Sequence, residues 1–367
     1  MNHDVARAAG ETPAGPAVGL DLHRLLGRAP LPIDEAALAG SLAGRRVLVT
    51  GAGGSIGSHL ARKLKGWGVG ELALVDNHEN SLYELQVALG TGGPLHYRLA
   101  DVRRADSVRR LLLHHRPEVV FHLAAYKHVP LGEENPGEVF VANVLGTLNL
   151  LQAAAEAGVA SLAYPSTDKA VYPPSVYGAS KRAVELLLRA FTRADGRPRC
   201  VVLRLVNAVG AQGGVIRLFA RQIAAGLPLT MTHEGMTRYW ISMEEAALLV
   251  AQAACAAPGI ETIAPDVGPA IRLTAVARRL HELLRPDAPF EVTVTGMRPG
   301  ERLAEILVRD DERLAPCPHP GVLAVRDLAE SRPSWSEMLA AVARLERHLA
   351  EGDEEGLRAD LFALASA

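Results

Sequence analysis

The stretch that most limits how this chain can fold is Arg46-Val47-Leu48-Val49-Thr50-Gly51-Ala52-Gly53-Gly54-Ser55-Ile56-Gly57. A short apolar, β-branched run passes without a spacer into closely set glycines. It then enters an amphipathic helix marked by Leu60, Leu64 and Trp67. Glycines let a backbone approach a ligand closely, and the N-terminus of a following helix favours an anion there. The next apolar run, Leu72-Ala73-Leu74-Val75, ends in Asp76, at the distance where an acid meets the ribose hydroxyls of a bound dinucleotide. No basic residue follows Asp76 directly, so NAD is preferred over NADP. Gly51, Gly53, Gly54, Ser55, Ile56, Gly57 and Asp76 are the first candidate cofactor contacts.

Strand and helix patterns then alternate. Leu95 to Leu99 reads as a third strand, with Asp101-Val102 after it placed to sit by an adenine; a helix follows from Ser107 to His114, with Asp106 as its N-cap. Glu118 to His122 is a fourth strand, leading to Ala124, Ala125 and Tyr126, where small residues again permit close approach to a cofactor. A long helix over 136–158, a strand over Ser161 to Pro165, a helix over 176–193 and a strand over Cys200 to Leu205 complete this half. The pattern predicts an α/β protein: a Rossmann-type doubly wound parallel sheet with ligands at the C-terminal ends of its strands. Asn207 to Gly214 reads as a flexible loop, and the looser pattern beyond it predicts a smaller mixed α/β substrate-binding domain. The expected divisions are an N-terminal extension over 1–43, partly disordered, with Asp34 capping a short helix from Glu35; a cofactor-binding domain over 44–210; mainly cap over 211–330, its segments including 244–256; and C-terminal helices over 331–367 for packing or oligomer contacts.

The chemistry concentrates between Ser166 and Lys181. Tyr177 and Lys181 fall one turn apart on one helical face, where the ammonium can lower the phenol's pKa and make it a usable base. Asp168-Lys169, at a strand end, is a costly pair to bury unless it has work to do. Arg238 and Arg298 are fork-shaped cations suited to a diphosphate. The balance of 39 basic and 41 acidic residues calls for no nucleic acid and no anionic membrane. Cys200, Cys255 and Cys317 have no metal-ligand spacing, nor do the histidines, so the expectation is a reduced, cytoplasmic protein without a metal. No apolar run reads as long enough to span a bilayer, and the N-terminus lacks the apolar core of a signal peptide.

These features resemble an extended short-chain dehydrogenase/reductase. More narrowly, Ala125-Tyr126-Lys127-His128-Val129-Pro130, Ser166-Thr167-Asp168-Lys169-Ala170, Met236-Thr237-Arg238-Tyr239-Trp240 and Arg298-Pro299-Gly300-Glu301 resemble the UDP-N-acetylglucosamine 4,6-dehydratases of polysaccharide and flagellin-sugar biosynthesis, over about residues 44–308. Residues 22–36 are similar to the linker that follows the membrane domain of the family's long members, so the chain reads as a soluble, short form. The resemblance implies that Tyr177, activated by Lys181, takes the proton of a sugar 4-hydroxyl while hydride passes to NAD. Lys169, with a pKa lowered by burial, removes the C5 proton; Asp168, with a raised pKa, protonates the departing 6-hydroxyl; and hydride returns to C6. Thr167, or else Ser166, bonds the 4-oxygen. Lys127, Asn207, Arg238, Arg298 and Glu301 are the further candidate contacts to a UDP-sugar. A homo-oligomer is expected, pairing through helices 137–157 and 176–193. Tyr177 stands where many long members have Met, which points to the soluble inverting branch, and Val206 and Ala211-Gln212-Gly213-Gly214 depart from the family pattern where the sugar binds. A nucleotide-sugar 4-epimerase would share Tyr177, Lys181 and the cofactor but has no use for Asp168-Lys169; a 5,6-dehydratase would use the same groups and stop after elimination. A module that binds NAD without turnover is disfavoured by the intact Thr167, Tyr177 and Lys181.

Overall fold

A computed structural model describes residues 22–194, 198–211, 213–328 and 332–366. The expected disorder of residues 1–19, and Gln212 in the cap loop, lie outside the described residues. In chain order, α1 (Leu22–Leu26) and α2 (Glu35–Leu42) precede β1 (Arg46–Thr50), α3 (Ser55–Gly66), β2 (Glu71–Asp76), α4 (Glu79–Leu89), β3 (Leu95–Leu99), α5 (Ala105–His115) and β4 (Val119–His122). There follow α6 (Val129–Glu134), α7 (Pro136–Val139), a π-helical turn (Phe140–Leu145), α8 (Gly146–Ala157), β5 (Ser161–Thr167), α9 (Val176–Thr192) and β6 (Arg199–Leu205). The second half holds β7 (Asn207–Ala208), α10 (Val215–Ala224), β8 (Leu229–Met231), β9 (Thr237–Arg238), β10 (Trp240–Ile241), α11 (Met243–Ala254), β11 (Thr262–Pro265), β12 (Ile271–Arg272) and α12 (Leu273–Leu284). The chain closes with β13 (Val292–Val294), β14 (Glu312–Pro316), β15 (Val322–Asp327), α13 (Trp335–Glu351) and α14 (Glu354–Ser366).

The main sheet runs β14-β15-β11-β6-β5-β4-β1-β2-β3. From β3 to β11 every pairing is parallel, while β15 and β14 join antiparallel. β4 and β5 are buried along their whole length, as strands covered by helices on both faces must be, and their sequences are correspondingly apolar. The order β3-β2-β1-β4-β5-β6 is that of the Rossmann-type doubly wound sheet. Its strand order reverses between β1 and β4, so the crevice at their C-terminal ends is the place for a ligand.

Several expectations change. The cap is discontinuous: β11, β14 and β15 belong to the main sheet, and α11 packs on α2, α3 and the central strands. α11 is buried at nearly every position, and a helix apolar all round has to lie inside. What remains of the cap is a small lobe whose core includes Ile216, Phe219, Trp240, Val276 and Leu280. The N-terminal extension is packed against the fold from residue 24. Leu25 and Leu26 enter that same core, and Arg28 makes a forked ion pair with Glu245, both nitrogens at 2.8 Å. Asp34 does cap α2, accepting from Ala37 N at 3.0 Å. α5 begins two residues earlier than expected, with Arg104 as its N-cap and Asp106 inside its first turn. α4, absent from the sequence reading, starts where the His78 ring accepts from Ser81 N at 3.2 Å. The segment Pro136–Ala157 is long and apolar enough by composition to cross a membrane, but 67% of its apolar window is buried in the fold.

The four-helix contact expected between copies would use a helix that the chain itself already covers. Every residue of α9 from Gly178 to Phe191 is buried, and α13 and α14 lie against that helix. The chain's own C-terminal hairpin occupies the face on which a partner's helix would pack, so association through α9 would require displacing it.

His122, at the end of β4, is fully buried between two hydroxyls, with Nδ1 2.7 Å from Thr50 Oγ1 and Nε2 3.0 Å from Thr147 Oγ1. Burial, with Lys181 nearby, lowers its pKa from an imidazole's ordinary 6.5 to about 3. Below pH 6.5 the unfolded chain takes up a proton that the folded chain refuses, so stability falls with pH and the loss ends below about 3. The expected slope from this group is about 1.4 kcal/mol per pH unit. Denaturant unfolding at pH 7 and pH 5 should show it, and His122→Gln should remove that part of the difference.

Candidate functional site

The crevice is built from strand ends. Gly51 follows β1 with φ +67°, and a Cβ there would lie 2.7 Å from Ala124 N; only glycine lets the turn after β1 close against the segment after β4. Gly54 is the N-cap of α3 and no side chain caps that helix, which leaves its positive end facing the crevice. Asp76 holds the outer end, accepting from Gly53 N and His78 N, each at 2.9 Å. The segment after β4 is clamped by Asn143 in the π-helical turn: its Oδ1 accepts from Tyr126 N at 2.8 Å, and its Nδ2 donates to Tyr126 O at 3.0 Å and to Ser180 Oγ at 2.9 Å. Asn143 was missed in the sequence because nothing local marks the bulge; π-turns recur at functional sites.

Two adjoining clefts result. One is lined by Gly51, Gly53, Gly54, Asp76, Asp101, Val102, Ala124, Ala125 and Tyr126. The other is lined by Ser55, Ile56, Gly57, Lys127, Ser166, Thr167, Lys169, Tyr177, Lys181 and Asn207. They share Gly51, Gly54, Leu123, Ala125 and His128, so the groove is continuous from Asp76 to Lys181. An elongated ligand with an anionic middle fits it: acid and small residues at one end, a bare helix N-terminus in the centre, and a phenol and amines at the other. Asp101 lines the outer end with its carboxylate held by Arg103, whose nitrogens lie 2.6 to 3.0 Å away. That pairing keeps the carboxylate below its usual range.

At the inner end the sheet and α9 converge. A Cβ on Gly178 would collide with Lys169 O, so glycine directly after Tyr177 lets the start of α9 meet the turn over 168–170. Within that turn Thr167 Oγ1 donates to Asp168 Oδ1 at 2.9 Å, and Lys169 Nζ donates to the same oxygen at 2.9 Å. Tyr172, just beyond, holds φ 46°, a conformation that costs a non-glycine residue about 1–3 kcal/mol. Its hydroxyl accepts from Asp310 N at 2.8 Å, one of the contacts that holds the turn.

The electrostatics differ from the sequence expectation. Burial would lower the pKa of Lys169, but Asp168 and Glu305 outweigh it and raise the pKa above that of an ordinary lysine. The resting group is an ammonium, not the free amine inferred from burial. Lys181 is the lysine that burial dominates: its pKa is lowered to about 7, with Nζ donating to Pro165 O at 2.8 Å and lying 4.3 Å from the centre of the Tyr164 ring. Tyr177 is pushed up to about 12 by burial, against which Lys169 and a hydrogen bond with Thr167 pull. The cation acting on the phenol is therefore Lys169 rather than Lys181, whose lowered pKa leaves it only partly charged at neutral pH.

Asp168 is fully buried and reaches the groove only through Thr167 and Lys169. Ser166 donates to Glu185 Oε1 at 2.7 Å, which ties its hydroxyl to the protein. Arg238, Arg298 and Glu301 do not line the groove. Arg238 donates to the carbonyls of Thr237, Leu303 and Arg302 at 2.7, 3.2 and 2.9 Å. Arg298 is exposed, and Glu301 Oε2 accepts from its backbone N at 3.1 Å. An isolated arginine cannot be assigned to a diphosphate from sequence, since main-chain carbonyls compete for the same donors. The residue brought in unannounced is Glu305, 4% exposed, with Oε1 3.3 Å from Lys169 Nζ and 3.6 Å from Arg238 Nε. It lies 136 positions from its lysine, a distance no local motif spans.

Comparison with known proteins agrees with this geometry. Residues 47–327 match the family model described as "Polysaccharide biosynthesis protein". Over 319 residues the chain is 37% identical to "Probable polysaccharide biosynthesis protein EpsC" of Bacillus subtilis (strain 168), covering 85% of this chain and 53% of that protein; it spans about half the length of the first curated relatives it matches. It is 32% identical over 275 residues to a Campylobacter jejuni "UDP-N-acetylglucosamine 4,6-dehydratase (inverting)", covering 73% of this chain and 79% of the relative. A Thermus thermophilus UDP-glucose 4-epimerase solved in complex with NAD superposes with a TM-score of 0.62 and 30% identity, over 72% of this chain and 90% of that one. The chain belongs to the polysaccharide biosynthesis protein family, within the extended short-chain dehydrogenase/reductases.

Proposed function

We propose that the protein is an NAD-dependent nucleotide-sugar 4,6-dehydratase acting on UDP-N-acetylglucosamine. The carrying observation is the contact of Thr167, Asp168 and Lys169 beside Tyr177 at the inner end of the groove. Abstraction at C5 and expulsion of a C6 hydroxyl need a base and an acid on one substrate, and this is where the chain keeps an amine and a carboxyl together. The similarity to the Campylobacter jejuni 4,6-dehydratase supports the same reading.

Gly51, Gly53, Gly54, Ser55, Ile56, Gly57, Asp76, Asp101, Val102, Ala124, Ala125 and Tyr126 would hold NAD, which when bound would supply a hydride acceptor at C4 and a hydride donor at C6. Tyr177, ionised with the Lys169 ammonium beside it, takes the 4-hydroxyl proton, with Thr167 bonding the same oxygen, and Lys181 would steady the inner end of the cofactor. One proton is shared by the neighbouring pair. On Asp168 it leaves Lys169 a free amine for the C5 proton, and Asp168 then delivers its own toward the departing 6-hydroxyl by way of the Thr167 hydroxyl. Lys169 ends as the ammonium and Asp168 as the carboxylate; when hydride has returned to C6, C5 takes a proton from solvent and Tyr177 gives up the one it took, which restores the resting state. Lys127, Ser166 and Asn207 line the place of the sugar nucleotide.

A second reading, 4-epimerase, is favoured by the 33% identity to a Rickettsia rickettsii UDP-glucose 4-epimerase over 73% of this chain. It leaves Asp168-Lys169 without a task. Incubation with UDP-N-acetylglucosamine in deuterated water separates the two. Loss of one water with deuterium at C5 is the expected result, whereas unchanged mass with inversion at C4 would replace the dehydratase by the epimerase.

Two substitutions divide the reaction. Lys169→Ala should retain NAD, seen by equilibrium binding, and lose dehydration by about 10²-fold or more. Tyr177→Phe should block the oxidation that precedes it, so that no reduced cofactor absorbance develops on mixing with substrate; full dehydration by either variant contradicts its assignment.

A further inference from the structure

Lys169 does not have one carboxylate beside it but two. Asp168 Oδ1 approaches Nζ from its own turn at 2.9 Å, and Glu305 Oε1 approaches at 3.3 Å from a distant segment. That segment is anchored on two sides. Thr237 N donates to Leu303 O at 2.9 Å, Arg238 carries the carbonyls of Arg302 and Leu303, and Arg302 Nη1 reaches back to Val171 O at 2.7 Å, directly after the catalytic turn. The array reads Arg238, Glu305, Lys169, Asp168, with charges alternating in sign. Tyr177 on α9 is the remaining titratable group that acts on the ammonium.

Glu305 is also incompletely used. Its Oε2 is buried and has no hydrogen-bond partner among the described residues, and the same holds for Asp168 Oδ2. An ionised carboxylate half unpartnered in a buried place is expensive unless neighbouring cations hold it. Arg238 and Lys169 are those cations, so the energy spent burying Glu305 goes into fixing where Nζ stands and how strongly it keeps its third proton.

We propose that Glu305 is a positioning residue for Lys169, setting the place of its amine beside the sugar's C5 and holding it as the ammonium until the proton passes to Asp168. The inference rests on Lys169 being the base of the proposed dehydration. It adds a residue outside the Thr167-Asp168-Lys169 turn and gives Arg238 a task, the support of that residue, in place of the expected diphosphate contact.

The test reads Lys169 directly. In the NAD-loaded full chain, competitive labelling with isotopic acetic anhydride across pH, followed by peptide mass spectrometry, gives the titration of Lys169. Glu305→Gln should move that titration to lower pH by about 1–3 units, the size of effect an adjacent opposite charge has. Glu305→Asp, which keeps the charge but shortens the reach, should move it less. Profiles that superimpose on the wild type overturn the proposal. If Glu305→Gln does not fold, the aspartate variant carries the same judgement. The pH dependence of UDP-N-acetylglucosamine dehydration supplies the second reading: both limbs should shift to lower pH in Glu305→Gln with KM little changed, whereas a merely structural role would lower the rate without moving either limb. A wild-type chain that loses no water from this substrate would defeat the functional assignment, and the labelling would still decide the role of Glu305.

Discussion

The active end of the groove depends on a buried ionic knot behind it. Arg204 on β6 lies between Glu185 on α9 and Glu312 on β14, with Nη2 2.7 Å from Glu185 Oε2 and Nη1 2.5 Å from Glu312 Oε2, all of them buried. Arg182 joins both carboxylates, at 3.0 and 3.3 Å. Such a knot is weak evidence for stability, because desolvation offsets most of the attraction. Its value is geometric. It locks the helix carrying Tyr177 and Lys181 to the sheet and, through Ser166 Oγ on Glu185, locks the end of β5 that carries Thr167. By holding β14 at the sheet edge it also returns the chain after residue 301 toward the groove, where Glu305 meets Lys169.

Two lysines in this small volume are driven to opposite states. Lys181 makes no ion pair among the described residues, and burial, opposed only in part by Glu185, brings its pKa to about 7. Lys169 has two, and they overcome the same penalty. Groups of one chemical type pushed apart by their surroundings are how a protein divides acid and base duties. Here the division makes Lys169 the charge that acts on the Tyr177 phenol, while Lys181 serves by contact with Pro165 and the Tyr164 ring.

Much of this arrangement is legible along the chain. The glycine turn, the strand periods and Asp76 follow from local rules, and so does the crowding of Ser166 to Lys181 around a strand end and a helix start. The cap division was less legible because strands β11, β14 and β15 are short, and a short apolar run does not say which sheet it will join. The dimer contact expected through α9 was no more legible, for a related reason: the apolar face of a helix calls for a partner without specifying whether it comes from another copy or from the same chain, and α13 and α14 of the same chain cover it here.

The amino-acid order alone determined the doubly wound sheet, the position of the crevice and the gathering of Thr167, Asp168, Lys169, Tyr177 and Lys181 around its inner end, because each depends on spacing within a turn of helix or a single strand end. Only the tertiary structure decided which lysine keeps its proton, that Arg238 supports the backbone and Glu305 instead of lining the groove, and that Glu305 belongs to the site. Charge state and contact in a buried place are set by what lies within a few ångströms. Segments as far apart in sequence as residues 169 and 305 come that close only when the sheet and its last strands have assembled.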